Sequence, residues 1–110
     1  MALESVLDVT VADDVTFGFR FTNTTGEAVT LTFRSGQTGD VTVSDADTDE
    51  LVWQWSDDRM FTQAISHETI DPGETLAFEY RWNDPPAGAY TAVATLESDV
   101  DARAQTTFSV

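Results

Sequence analysis

The sequence predicts an all-β fold: a two-sheet antiparallel sandwich of immunoglobulin-like architecture, with about eight or nine short strands. Three observations predict it. Apolar and polar residues alternate with period two along most of the chain, as half-buried strands require. Turn chemistry recurs about every 8–12 residues, the spacing of a sandwich. No stretch carries the periodicity of a helix three turns long.

In chain order, Leu7, Val9 and Val11 alternate with Asp8 and Thr10 until Asp13-Asp14 interrupts them. Val15, Phe17, Phe19 and Phe21 then alternate with Thr16, Gly18, Arg20 and Thr22. Asn23 to Glu27 supplies turn residues, with Gly26 free to take a positive φ. Val29, Leu31 and Phe33 follow, and the two runs are expected to pair as a hairpin. Ser35 to Asp40 reads as a loop and Val41 to Val43 as a short strand. The acidic stretch Asp45 to Glu50 reads as a hairpin connection, after which Leu51, Trp53 and Trp55 are expected to share one face.

Ser56 to Met60 breaks the pattern, and Phe61 to Ile70 follows no single period, so an irregular strand or bulge is expected there. Asp71-Pro72-Gly73-Glu74 is a strong turn, because proline presets φ and glycine supplies the second corner. Leu76, Phe78, Tyr80 and Trp82 alternate strictly, and Asn83 to Gly88 forms a proline-stiffened loop. Tyr90, Ala92, Ala94 and Leu96 make the next strand. Ser98 to Arg103 turns the chain into Ala104, Thr106, Phe108 and Val110.

Length and composition suit one folded domain spanning residues 1–110. An apolar fraction of 41%, with seven Phe, three Trp and two Tyr, is enough for one core. Charge is the strongest compositional signal: twenty Asp and Glu face five Arg and no Lys, a formal net charge of −15. In dilute buffer such an excess repels itself. At molar salt the Debye length falls to about 3 Å and the repulsion is screened. The balance therefore reads as halophilic adaptation to a salt-rich cytoplasm.

Nucleic-acid binding is disfavoured, because phosphate recognition needs clustered cations. Without cysteine there are no disulfides and no thiolate metal ligands. Met1 to Asp14 has neither the basic start nor the apolar run of a secretory signal. No segment approaches the roughly 20 apolar residues of a membrane span. The expected location is cytoplasmic, with no membrane partner.

Little in the chain suggests catalysis, and it is not expected to be an enzyme. His67 is the single histidine, and its neighbour Ser66 would point to the opposite face of a strand. No Gly-x-Ser-x-Gly elbow is present. Asp45, Asp47, Asp49 and Glu50 could attract Ca²⁺, but an EF-hand loop begun at Asp45 would place Glu50 and Ser56 where Gly and Glu belong. A solvated hairpin tip fits better. Trp53, Trp55 and Trp82 read as core, with Trp55 the most exposed of the three.

Two loops are candidate contact surfaces. In Ser56 to Met60, Arg59 or Met60 could anchor a partner. Because Met and Phe are usually buried, Met60 and Phe61 are instead expected to turn inward, with Arg59 paired to Asp57 or Asp58. The second loop is Ser35-Gly36-Gln37-Thr38-Gly39-Asp40, whose glycines allow close backbone approach.

Several segments taken in order resemble the intracellular proteinase inhibitor family, also called BsuPI-like. They are Phe19-Arg20-Phe21-Thr22-Asn23-Thr24, Val29 through Gln37, Val52-Trp53-Gln54-Trp55-Ser56 running into Met60-Phe61-Thr62-Gln63, Ile70 through Leu76, and Gly88-Ala89-Tyr90-Thr91-Ala92. The resemblance spans about residues 14 to 97, and its most particular parts are the Ser-Gly-Gln loop and the Trp-x-Trp-Ser…Met-Phe-Thr-Gln segment. It implies an immunoglobulin-like sandwich that inhibits an intracellular subtilisin-type serine protease, a protein partner, without a cofactor. The alternative is a non-catalytic interaction or structural module. The partner-binding candidates are Ser35, Gly36, Gln37, Trp55, Asp58, Arg59 and Met60.

Overall fold

The computed structural model describes residues 3–57 and 59–110. Nine strands and no helix occur among them. They are β1 (Leu3–Val11), β2 (Val15–Asn23), β3 (Val29–Phe33), β4 (Gly39–Asp45), β5 (Leu51–Gln54), β6 (Ser66–Ile70), β7 (Thr75–Trp82), β8 (Ala89–Leu96) and β9 (Arg103–Ser109). All pairings are antiparallel. The hydrogen-bonded ladders are β1-β2-β7, β5-β4-β8-β9 and a separate two-stranded β3-β6. The fold is the expected all-β sandwich, with the short β3-β6 pair standing as its own ladder.

Alternation builds the core. Val15, Phe17, Phe19 and Phe21 on β2 are wholly buried, while the intervening positions lie nearer solvent. Each such phenylalanine contributes about 2–3 kcal/mol of burial. Leu31 and Phe33 of β3, Val41 and Val43 of β4, Ile70 of β6 and Ala92 and Ala94 of β8 join the same cluster.

An aromatic chain ties the ladders together. Phe17 stacks on Trp53 at 5.8 Å and Trp53 on Trp82 at 5.5 Å. Trp82 meets Tyr90 edge-on at 5.2 Å, and Phe108 meets Phe17 at 5.6 Å. The contacts join β2, β5, β7, β8 and β9, so the two larger ladders face each other through these rings.

The expected hairpin between residues 15–22 and 29–34 does not form. β2 pairs with β1 on one edge and β7 on the other, and β3 pairs with β6. A strand has only two hydrogen-bonding edges, and those of β2 are filled, so the chain must leave that ladder after Asn23. Asn23 sets the exit. Its side chain is buried; Nδ2 donates to the carbonyls of Glu27 (2.7 Å) and Ile70 (2.9 Å), and Oδ1 accepts from Thr25 N–H and Oγ1–H. Gly26 does not use a positive φ; Gly73 does, at 80°, in the Pro72-Gly73 turn closed by Glu74 N–H on Asp71 O.

Two smaller expectations also change. β5 ends at Gln54, with Leu51 60% exposed and Trp53 half-buried, so Leu51, Trp53 and Trp55 do not form one buried stripe. The register shifts between Val43 and Ser44, which re-aims this short edge strand. Residues 61–65 hold no strand, and β6 begins only at Ser66. The Asp45–Glu50 hairpin forms as expected: Asp45 Oδ1 accepts from Asp47 and Thr48 N–H, and Asp49 takes φ 62°.

Candidate functional site

The β5–β6 connection, residues 55–65, is the longest segment without regular structure among the described residues. Its roots are held by groups that sequence reasoning passed over. Asp40, at the start of β4, is buried, and its carboxylate accepts from Val41 N–H, Gln54 Nε2–H, Ser56 N–H and Ser56 Oγ–H at 2.9, 2.7, 3.0 and 2.6 Å. The backbone of Trp55 also donates to Val41 O at 2.9 Å. The point where the chain leaves β5 is therefore fixed.

Above that root, the Trp55 ring organises the loop. Tyr80 meets it edge-on at 4.8 Å, and Phe61 packs at 5.8 Å. The Arg59 guanidinium lies 4.3 Å from the ring centroid and donates from Nε to Trp55 O at 2.6 Å. Arg59 thus stacks on an aromatic face instead of forming the expected ion pair with Asp57, an arrangement stabilising by about 0.5–1 kcal/mol at an exposed site. Asp58, the other expected partner and itself a candidate contact residue, lies outside the described residues.

Met60 overturns its expectation as well. It is 99% exposed, whereas Phe61 turns in and is half-buried. Phe61 packs on Trp55, which also meets Tyr80, so the inward place is taken by Phe61. Met60 is left as an apolar side chain standing in water.

The second candidate loop meets the first. Gly36 N–H donates to Thr62 O at 2.9 Å, and a Cβ on Gly36 would come within 2.9 Å of Thr62 Oγ1, so glycine permits this approach. Ser35 Oγ accepts from Gln37 N–H at 3.1 Å, and Gln37 Nε2 reaches Gly39 O. Gly36 therefore rests against the loop that carries Arg59 and Met60, while Ser35 and Gln37 hold the turn that presents it. Beside the Met60 loop runs an open groove of about 470 Å³, bordered by Trp53, Gln54, Trp55, Asp57, Arg59, Arg81, Trp82 and Asn83.

The remaining chemistry-bearing groups serve structure. His67 is exposed on β6 and sits opposite Thr32, with Nδ1 3.1 Å from Thr32 Oγ1. Ser66 pairs with Phe33. Among the described residues no group of three or more His, Asp or Glu is placed to hold a metal ion. Burial, reinforced by the charges of Asp40 and Glu97, pushes the Tyr80 phenol well above its ordinary value. Its hydroxyl is buried without a partner.

The sequence model of the family described as BsuPI, intracellular proteinase inhibitor, matches residues 3–100. No curated protein matches the chain. Among solved structures, the fold is similar to part of a penta-heme cytochrome c552 from Thermochromatium tepidum, with TM-score 0.60 and 11% identity over 97% of this chain and 40% of that one. It is also similar to part of a β-glucosidase from Kluyveromyces marxianus (TM-score 0.54, 17% identity, 98% of this chain and 14% of that one). β-Glucosidase 3B from Thermotoga neapolitana gives TM-score 0.54 and 18% identity over 98% of this chain and 16% of that one. The chain spans less than half the length of each, and at these identities the likeness concerns fold alone.

Proposed function

The chain belongs to the BsuPI intracellular proteinase inhibitor family, and from that membership we propose that it binds and inhibits a cytoplasmic subtilisin-type serine protease through the β5–β6 loop. The observation that carries the reading is Met60, 99% exposed on a loop whose two feet are tied by Asp40 and by Gly36. An exposed methionine costs contact with water and gains nothing within the fold. Placed in an apolar specificity pocket, it becomes a central anchor of the kind that dominates binding energy. The braced roots lower the entropy cost of presenting it. Ser35, Gly36 and Gln37 complete the contact surface, while Trp55 and Arg59 hold its shape. No cofactor takes part, and the acidic surface suits a salt-rich cytoplasm.

The test is titration in molar KCl against an intracellular subtilisin-type protease from a salt-loving organism. Activity is expected to fall stoichiometrically, one inhibitor per enzyme. Met60→Ala is expected to weaken inhibition about thirtyfold, corresponding to about 2 kcal/mol, while its unfolding midpoint stays unchanged. Rapid digestion of the wild-type chain with no loss of protease activity would overturn the reading. One observation favours a second reading, a non-catalytic interaction module: the fold recurs as a part of larger proteins. A stable complex with a protein other than a protease, together with that digestion, would support it.

A further inference from the structure

We propose that the groove beside the Met60 loop binds a carboxylate-bearing segment of the partner's surface, with Arg59 and Arg81 as the recognising cations. The partner's identity as a protease rests on the reading above; the ligand chemistry rests on the groove. The chain has only five cationic side chains against twenty acidic ones, and two of the five border this single groove. Among the described residues the one salt bridge joins Arg20 to Asp8, so neither groove guanidinium forms an ion pair with a described carboxylate, although Asp57 also borders the groove.

The ring faces are already occupied. Trp53 stacks between Phe17 and Trp82, and Trp55 carries the Arg59 guanidinium over its face. A flat sugar or base would therefore find no open indole to stack on. What the groove offers is N–H donors on Arg59, Arg81, Gln54 and Asn83 with one carboxylate, Asp57, on its border, so cations outnumber anions two to one in a set suited to carboxylate oxygens.

Long-range charge sharpens the argument. A chain of net charge −15 repels an acidic partner everywhere except where its cations gather. Those cations lie next to the exposed Met60, so a partner that accepts Met60 covers the groove. Screening shortens to about 3 Å at molar salt. Repulsion between the two acidic bodies is removed there, while guanidinium–carboxylate pairs at contact distance, within that length, are screened far less. The interaction is expected to hold or strengthen as salt rises, the reverse of an ordinary exposed ion pair.

The three tryptophans of the chain all border the groove, so intrinsic fluorescence reads its occupancy. The probes are acetyl-Glu-Leu-Glu-amide and its Gln-Leu-Gln counterpart, titrated in molar KCl. The Glu peptide is expected to shift the emission saturably, and the Gln peptide is not. Arg81→Gln is expected to weaken the peptide response and protease inhibition about five- to tenfold. Arg81→Lys recovers part of both, and Arg103→Gln, on β9, alters neither. Equal responses to the two peptides, or an unchanged response in Arg81→Gln, overturn the proposal. If Arg81 governs peptide binding but no protease is inhibited, the groove stands and the inhibitor reading falls; a potent inhibitor with a silent groove is the converse.

Discussion

Asn23 and Asp40 are both buried polar side chains that tie a turn to a strand, yet the regions they organise end up with opposite properties. Around Asn23 everything is closed. Its amide satisfies Glu27, Ile70 and Thr25, and its backbone exchanges hydrogen bonds with Glu74 and Gly73, so two turns lock into one unit. Around Asp40 only the roots are closed. Its carboxylate holds Gln54 and Ser56, and a few residues further on Met60 stands in solvent. A turn whose polar groups are all satisfied internally has nothing left to offer a partner. A loop fixed at its feet and apolar at its apex has a contact prepared.

The largest break in that comparison is Asn23→Leu. It strands two backbone carbonyls and the Thr25 donors, and is expected to cost about 3 kcal/mol. The measure is denaturant unfolding in molar KCl, and a loss well under 1 kcal/mol would show the closed unit to be incidental.

Next comes Gly39→Ala, whose Cβ would collide with the Tyr80 hydroxyl and lie 3.0 Å from Thr95 O. A loss of about 2 kcal/mol is expected, much of it recovered in Gly39→Ala with Tyr80→Phe, which removes the colliding atom. Tyr80→Phe alone deletes a buried hydroxyl that has no partner, and should stabilise by about 1 kcal/mol. It should also flatten the alkaline limb of stability. The folded chain keeps the Tyr80 proton at pH values where the unfolded chain, near 10.0, has lost it. The native state then binds more protons, and stability falls as pH rises above the unfolded value. Unfolding curves at pH 9 and 11 compare the two proteins.

Asp40→Asn replaces an acceptor oxygen with a donor facing other donors. It is expected to cost about 1–2 kcal/mol, and to speed amide exchange in residues 55–63 while leaving the Asn23 unit protected. Uniform acceleration would mean that the two regions are not independent. The smallest effect is expected from Arg20→Gln. Its 2.6 Å bridge to Asp8 is exposed by 52% and 58%, so the change should stay within about 0.5 kcal/mol.

Much of the fold was legible because strand alternation is a local property. Val15 to Phe21, Leu76 to Trp82 and Tyr90 to Leu96 announce which face is buried, and the structure buries those faces apart from the half-covered Leu76 and Phe78. The Pro72-Gly73 turn was equally plain, since its φ values are nearly dictated by the two residues. Strand pairing was not legible: β2 and β3 look like a hairpin from spacing, and only β7 occupying the second edge of β2 forbids it. At the site, sequence pointed to Ser35–Gln37 and to Arg59 and Met60 separately. It expected Phe61 to turn inward, as it does, but gave Asp40, Thr62 and Tyr80 no role in bracing the loop, because no periodicity marks a residue whose role is to meet another loop.

The sequence by itself determined the class of fold, the acidic balance and the two loops where glycine, arginine and methionine interrupt the pattern, since each follows from side-chain chemistry along a short stretch. Which strands share an edge, that Gly36 rests on Thr62, and that Met60 faces water while Phe61 does not, were decided only in the tertiary structure. Those outcomes depend on which space the other strands had already filled, and volume exclusion between distant segments leaves no local trace.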